Sequence, residues 1–286
     1  MRNPIAAGTF YPSDKKEIER QINGFLKKET KEVKGKKERK IEKSKIIISP
    51  HAGYIFSGDI AVKSFCSLEK AEIFIILGTN HSYPGNSQFF LSKEDFETPL
   101  GIVKNNTKIT KKILRESKKE NLACEMNERA HAFEHSIEVQ LPFLQSLFKR
   151  FSIVPIIVNT RDTEILKKFA EIIYKLMKKE KISIIASSDF THYGESYGFV
   201  PFTSNIKENL YNLDKGAIME IFKLNTEKFL EKAEKTTICG TSPILLAMEI
   251  AKKLKYKKAE LLGYKNSGDT SGDYNTAVGY ASIIFL

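Results

Sequence analysis

Apolar positions in this chain fall into short continuous runs and longer helical stripes, and the two alternate. Ile46-Ile47-Ile48 is a fully apolar, β-branched run closed by Ser49 and Pro50. Such a run suits a strand buried on both faces, and Pro50 ends its ladder by removing a backbone donor. Residues 72–77, 152–158 and 182–187 are further strand candidates, mostly apolar. Helical stripes lie between these runs. Ile18, Ile22, Phe25 and Leu26 share one face after a start signal at Asp14 and Glu17. Further helices are predicted over 58–68, 107–119 and 162–179, and over most of 203–255 with breaks at Asn225 and near Cys239-Gly240. A helical pattern over 128–148 contains Pro142, which should kink or divide it. Shorter strands are predicted at 88–92 and 101–103 around a turn at Thr98-Pro99, and longer ones at 259–265 and 277–284. Strands alternating with helices predict an α/β fold: one layered sheet flanked by helices, with residues 1–286 forming a single domain. At 286 residues the chain can bury a substantial core.

The pattern places chemistry-bearing residues at strand ends. The chain has five histidines. His51, His81 and His192 each follow an apolar strand candidate within a few residues. Neighbouring parallel strands open their carboxyl ends on one sheet edge, where α/β proteins place ligands. Three imidazoles meeting there point to metal binding or acid–base work rather than to three independent loop residues. Asp189 stands three residues before His192, where a carboxylate can orient an imidazole or simply cap a turn. Cys239 precedes Gly240-Thr241-Ser242-Pro243 and an apolar helix, so it lies near a helix amino terminus, where thiolate is favoured. On its own it reads better as a small buried hydrophobe, the usual fate of a cysteine.

His131 and His135 are spaced as H-x-x-x-H, which puts both rings on one face of a helix. The zincin pattern needs Glu directly after the first His; Ala132 stands there, which excludes that chemistry. His135 and Glu138 share a helical face and are candidates for the crevice, while His131 reads as a surface or capping residue. The loop 266–273 could offer amides to an anion. It lacks the P-loop order, and no G-x-G-x-x-G follows a strand, so no nucleotide cofactor is expected.

Charge changes the picture little. The formal net charge is +11, and residues 27–45 carry ten Lys or Arg against four Glu, a net of +6. That stretch is nearly devoid of apolar residues and reads as a solvated loop or helix extension. No aromatic residues interleave with it, so nucleic acid is a disfavoured partner. The longest apolar runs are too short to span a bilayer, and no signal-peptide pattern opens the sequence, so no membrane association and a cytoplasmic location are expected. Three widely spaced cysteines form neither a disulfide framework nor a C-x-x-C site.

Several blocks together are specific. Arg2-Asn3-Pro4-Ile5-Ala6-Ala7-Gly8-Thr9-Phe10-Tyr11-Pro12, the segment 50–58, Leu77-Gly78-Thr79-Asn80-His81, the segment 134–143, Ser187-Ser188-Asp189-Phe190-Thr191-His192-Tyr193-Gly194, Cys239-Gly240 and the segment 267–274 occur in that order. In this the chain resembles the Memo family, whose prokaryotic members carry the label AmmeMemoRadiSam system protein B. The resemblance implies a fold similar to the class III extradiol dioxygenases, and a metal-dependent redox enzyme using non-haem iron or copper, with zinc also compatible. It implies His51, His81 and Cys239 as metal ligands, His192 with Asp189 as acid–base residues, and Tyr54 and His135 as pocket-lining, substrate-binding residues. Cys239 stands where a dioxygenase offers a carboxylate, giving a softer and more oxidisable donor set. The substrate is an unidentified small molecule or peptide. The resemblance also implies a functional link to AMMECR-type and radical SAM proteins. It implies a rival reading as well: a non-catalytic adaptor that binds a peptide or anionic ligand, such as a phosphotyrosine segment, at a basic pocket edge.

Overall fold

The computed structural model describes residues 1–35 and 42–286. Helix α1 (Lys15–Gly35) precedes β1 (Ile46–Ser49), α2 (Tyr54–Ser67) and β2 (Ile73–Thr79). Strands β3 (Phe89–Leu91), β4 (Phe96–Thr98) and β5 (Gly101–Val103) lead to α3 (Thr107–Lys119) and β6 (Cys124–Met126). Three short helices follow, α4 (Glu128–Ala132), α5 (His135–Glu138) and α6 (Leu141–Leu147), and then β7 (Ser152–Val158), α7 (Thr163–Met177), β8 (Ile182–Ser187) and β9 (His192–Tyr193). The chain ends through α8 (Ile206–Phe222), α9 (Thr226–Ala233), α10 (Thr241–Lys253), β10 (Ala259–Asn266), α11 (Gly268–Ser271) and β11 (Ala277–Phe285).

Among the described residues a nine-stranded sheet has the order β10-β11-β1-β8-β2-β7-β3-β6, with β9 paired to β11. Its centre is parallel: β1 pairs β8, β8 pairs β2 and β2 pairs β7. The triple isoleucine is wholly buried, and successive side chains serve opposite faces. Ile46 and Ile48 join the core beneath α7 and α10, while Ile47 joins the one beneath α1, α2 and α6. Burying each such side chain is worth about 2–3 kcal/mol. Helices thus cover both faces, which is what double-sided burial requires.

The sheet is mixed rather than wholly parallel. β11 runs antiparallel to β1 and β10, and β3 antiparallel to β7. The ten residues between β10 and β11 are too few for a crossover, so an antiparallel return is the available connection. The partner of 101–103 is 96–98, a tighter hairpin than one drawn from 88–92. Helix α2 starts at Tyr54, a turn earlier than 58. Asp59 therefore lies past the first turn and pairs with Lys265 at 3.1 Å. The pattern over 128–148 is divided rather than kinked: it forms three helices, and Pro142 sits in the first turn of the third. Asn127 and Glu134 each accept a hydrogen bond from a backbone amide two or three residues on and so start new helices. Of the basic stretch, 27–35 prolongs α1 and 36–41 lies outside the described residues. No described helix is long and apolar enough to cross a membrane.

One buried acid ties α8 to the sheet. Asp214 accepts hydrogen bonds from the Thr191 amide (3.1 Å), the Thr191 hydroxyl (2.5 Å) and the Tyr264 hydroxyl (2.6 Å). Burial pushes its carboxyl up to about 6, against the pull of those donors. The folded value lies above the unfolded one, so its contribution to stability is complete below about pH 4 and is lost as pH rises through about 6. Asp214→Asn is expected to remove that slope. Denaturant melts at several pH values between 4 and 7 test this, since wild type should lose about 2–3 kcal/mol relative to the variant over that window. Parallel curves would refute it.

Candidate metal centre

The carboxyl ends of β1, β2 and β8 open side by side, and the residues just beyond them converge. Two glycines make this possible. A Cβ on Gly78 would stand 2.6 Å from Ile137, so only glycine lets α5 press against β2. A Cβ on Gly240 would stand 2.3 Å from the Ser188 side chain, so only glycine lets the start of α10 reach the end of β8. The first contact brings His135 to His81; the second brings Cys239 to His51.

His51, His81 and His135 each offer a ligand atom, all within 4.8 Å of one another, and this cluster can hold a metal ion. The His51 and His81 rings meet edge to face at 5.2 Å, and His81 and His135 stack at 4.6 Å. Cys239 Sγ lies 3.3 Å from His51 Nε2. His51 is buried, His135 half-buried, and His81 reaches solvent.

The hydrogen-bond network assigns the ring tautomers. Ser187 Oγ spends its only proton on the Ser136 carbonyl (2.7 Å). It must therefore accept from His51 Nδ1 (2.8 Å), which leaves the lone pair of His51 on Nε2, facing Cys239. His81 Nδ1 faces both oxygens of Glu134 at 2.9 and 3.0 Å and so carries its proton, again leaving Nε2 free. His192 Nδ1 faces the carbonyls of Phe190 (3.0 Å) and Thr237 (3.1 Å), with the same result. An imidazole held by its Nδ1–H to an acceptor and free at Nε2 is the usual form of a metal ligand or a base.

Charges in the cluster are arranged to keep most rings neutral. Burial, then the neighbouring His81, hold His51 well below its usual value. Burial and His51 bring His135 down to about 4. Burial acts on His81 in the same direction, but the hydrogen bond and charge of Glu134 outweigh it and raise that ring. Burial would raise Glu134, yet His81, His135 and the Ser136 amide bring it down to about 2. Burial and then the Asp189 carboxylate push the Cys239 thiol above its usual range. The proximity of a helix terminus does not prevail there.

A crevice of about 550 Å³ opens over the cluster. Phe10, Phe56, Tyr197 and Tyr280 supply aromatic walls, His51, His81, His135 and His192 the polar floor, and Ser267, Ser271 and Asp273 part of the rim. No Lys or Arg lines it among the described residues, so the basic edge expected for an anionic ligand is not found.

Several expected placements are corrected. Tyr54 does not line the crevice. Its position on α2 turns it into the core against Tyr11 and Phe143, and its hydroxyl donates to the Val139 carbonyl at 2.7 Å. Asp189 does not hold His192. Its Oδ1 accepts from the His51 and Ala52 amides at 2.8 and 3.2 Å, and burial raises its carboxyl. Thr237 holds His192 instead: its hydroxyl accepts from the His192 amide (2.7 Å) and donates to the His192 carbonyl (2.6 Å). His131 is buried, with Nε2 on the Phe90 carbonyl at 3.0 Å. Glu138 faces away from the crevice, toward Arg2 and Tyr11. The loop 266–273 contains the single helical turn α11 and supplies part of the rim. Glu134, which holds the ring and backbone of His81, has no counterpart among the site residues expected from the sequence.

Comparison with known proteins follows the same residues. The profile of a family described as Memo-like protein matches residues 2–284. The chain belongs to the Memo family. A MEMO1 family protein of Aquifex aeolicus (strain VF5) is 38% identical over 289 residues, covering 100% of this chain and 99% of its own. One from Nitrosopumilus maritimus (strain SCM1) is 36% identical over 291 residues, with 100% of both chains covered. Among solved structures, an uncharacterised protein, JW3007, from Escherichia coli K12 superposes with a TM-score of 0.56 at 10% identity, covering 84% of this chain and 98% of that one. That likeness concerns the fold alone. The Memo motifs fall on the crevice: segments 50–58, 77–81, 187–194 and 267–274 each contribute residues to its lining.

Proposed function

We propose that this Memo-family chain is a metal-dependent redox enzyme, related to the extradiol dioxygenases, that binds iron or copper through Nε2 of His51 and His81 and through Cys239. The separation of Cys239 Sγ from His51 Nε2, 3.3 Å, carries the proposal. Two donors on one tetrahedral ion, with bonds of about 2.3 Å to sulfur and about 2.0–2.1 Å to nitrogen, lie roughly 3.5 Å apart. A thiol raised by burial still ionises when a metal takes its proton's place. His135 is the competing third donor, because its nitrogen already lies in the imidazole cluster. When bound, the ion would supply Lewis acidity and one-electron chemistry.

The chain's own residues supply the rest. His192 accepts a proton at Nε2, with its other nitrogen pinned by two carbonyls. Asp189 fixes the backbone of His51 and Ala52. Phe10, whose ring lies tilted at 4.4 Å from that of His135, and the wall tyrosines exclude water from an aromatic or apolar small molecule.

Metal analysis of protein purified without chelator, and again after loading with iron(II), copper or zinc, tests this reading. About one ion per chain is expected, with occupancy falling at least about tenfold in His51→Ala and His81→Ala. Comparing Cys239→Ser with His135→Ala identifies the third donor. Protein that stays metal-free under every loading would overturn the proposal and leave the non-catalytic binding reading standing.

A further inference from the structure

A second cavity lies against Cys239, and the crevice lining does not include it. Its volume is about 180 Å³, and Thr79, Asn159, Thr160, Arg161, Cys239 and Ser242 are among its walls. It sits beyond the carboxyl ends of β2 and β7, where the loops after these strands are tied by a hydrogen bond from Asn80 to Asn159 at 2.9 Å. The start of α10 closes it. Cys239 is therefore shared: its sulfur contacts His51, which lines the crevice, while the residue itself walls the smaller cavity.

We infer that this cavity binds a small oxyanion: phosphate, sulfate or the carboxylate of a small acid. Four features point the same way. No carboxylate lines the cavity among the described residues, and Arg161, which does, makes no ion pair among them. The adjacent Asp162 is already spent on the amides of Glu164 and Ile165 at the start of α7. Helix α10, thirteen residues long, presents its amino terminus here, capped by Gly240 with no side-chain acceptor for the amides of Thr241 and Ser242, while Pro243 has no N–H to offer. Such a terminus carries partial positive charge and unsatisfied N–H groups. Finally, Thr79 is 7% exposed and lines the cavity, yet its Oγ1 has no partner. A buried hydroxyl left unmatched costs stability unless something fills that role. The volume suits one small ion with a water or two.

This inference does not rest on the metal reading, and its test keeps the two apart. Full-length protein stripped of metal is titrated with inorganic phosphate, sulfate and acetate by calorimetry, with phosphorus NMR following the first. Saturable binding of one ion per chain is expected for at least one of the three, with an increase in melting temperature. Arg161 is exposed, so Arg161→Gln should fold normally while weakening that affinity about tenfold or more. His192→Ala, altered in the crevice, should leave anion affinity unchanged. Absence of saturable binding by all three anions, or equal affinity in Arg161→Gln, would overturn the inference. A chain that binds anions but never metal would overturn the metal centre alone.

Discussion

Arg2→Ala is expected to destabilise the protein by about 3–5 kcal/mol, a large share of the stability of an ordinary domain. Arg2 is 5% exposed, an extreme state for arginine. Its guanidinium donates to Glu138 Oε2 at 2.7 Å, to the His131 carbonyl at 2.7 Å and to the Glu134 carbonyl at 2.8 Å, and it lies over the Phe96 ring. Removing it leaves the wholly buried Glu138 carboxylate without its counter-charge. Glu138→Ala should cost at least as much. It strands Arg2, and it also strands three donors that Glu138 accepts: the amides of Ile5 and Ala6, each at 2.9 Å, and the Tyr11 hydroxyl at 2.6 Å. Replacing both charges by apolar residues restores stability in some buried pairs. Here it should not, because those three donors remain. Chemical denaturation of both single variants and the double variant measures this. Losses under about 1 kcal/mol in the single variants would show that the pair is not buried as described. The effect should reach the site, because Arg2 holds the backbone of Glu134, and segment 2–12 carries Phe10, whose carbonyl accepts the Tyr54 amide at 2.7 Å.

The sequence displays one part of this centre openly and hides another for definable reasons. His51, His81 and Asp189 follow strands whose apolar runs are unmistakable, and parallel pairing then places them together. The alternation of runs and stripes is enough to read the layered sheet and the breaks at Asn225 and Cys239. What the alternation cannot read is direction. Tyr54 and His51 are three residues apart, yet the turn into α2 sends one into the core and leaves the other at the crevice. Glu134 is obscured because a helical spacing of apolar residues runs straight through it, although the backbone starts two new helices at Asn127 and Glu134. Those capping residues were the available signal. The Arg2–Glu138 and His51–Cys239 contacts span 136 and 188 positions, and no local periodicity encodes a partner at that distance. The excess positive charge also misleads, because it concentrates in the 27–45 stretch while the crevice has no Lys or Arg among its described lining.

Glu134→Gln should weaken metal binding about 10- to 100-fold while leaving every proposed ligand in place. The carboxylate accepts from three N–H groups: His81 Nδ1, the His81 amide (3.0 Å) and the Ser136 amide (2.8 Å). A carboxylate can accept all three because it carries no donor; an amide can accept at only one of its two atoms. In the variant, the amide nitrogen must face the His81 backbone N–H, or else the Ser136 backbone N–H and His81 Nδ1 together, and either repulsion loosens the link between α5 and the residues after β2. The second arrangement favours the opposite tautomer, which places the proton on Nε2 and closes the free nitrogen to a metal. Either route disturbs His81 without touching His51 or Cys239. Competition titrations with iron(II), copper(I) and zinc(II) measure the loss. Nitrogen-15 shifts of the histidine rings in metal-free protein report whether His81 has changed tautomer. Unchanged affinity together with an unchanged His81 ring would remove Glu134 from the centre. Weakened affinity with the ring unchanged would instead assign its role to tying the His81 and Ser136 backbones together. Thr237→Val supplies the contrast: it releases the backbone of His192, which is not a proposed ligand, and should leave metal affinity intact.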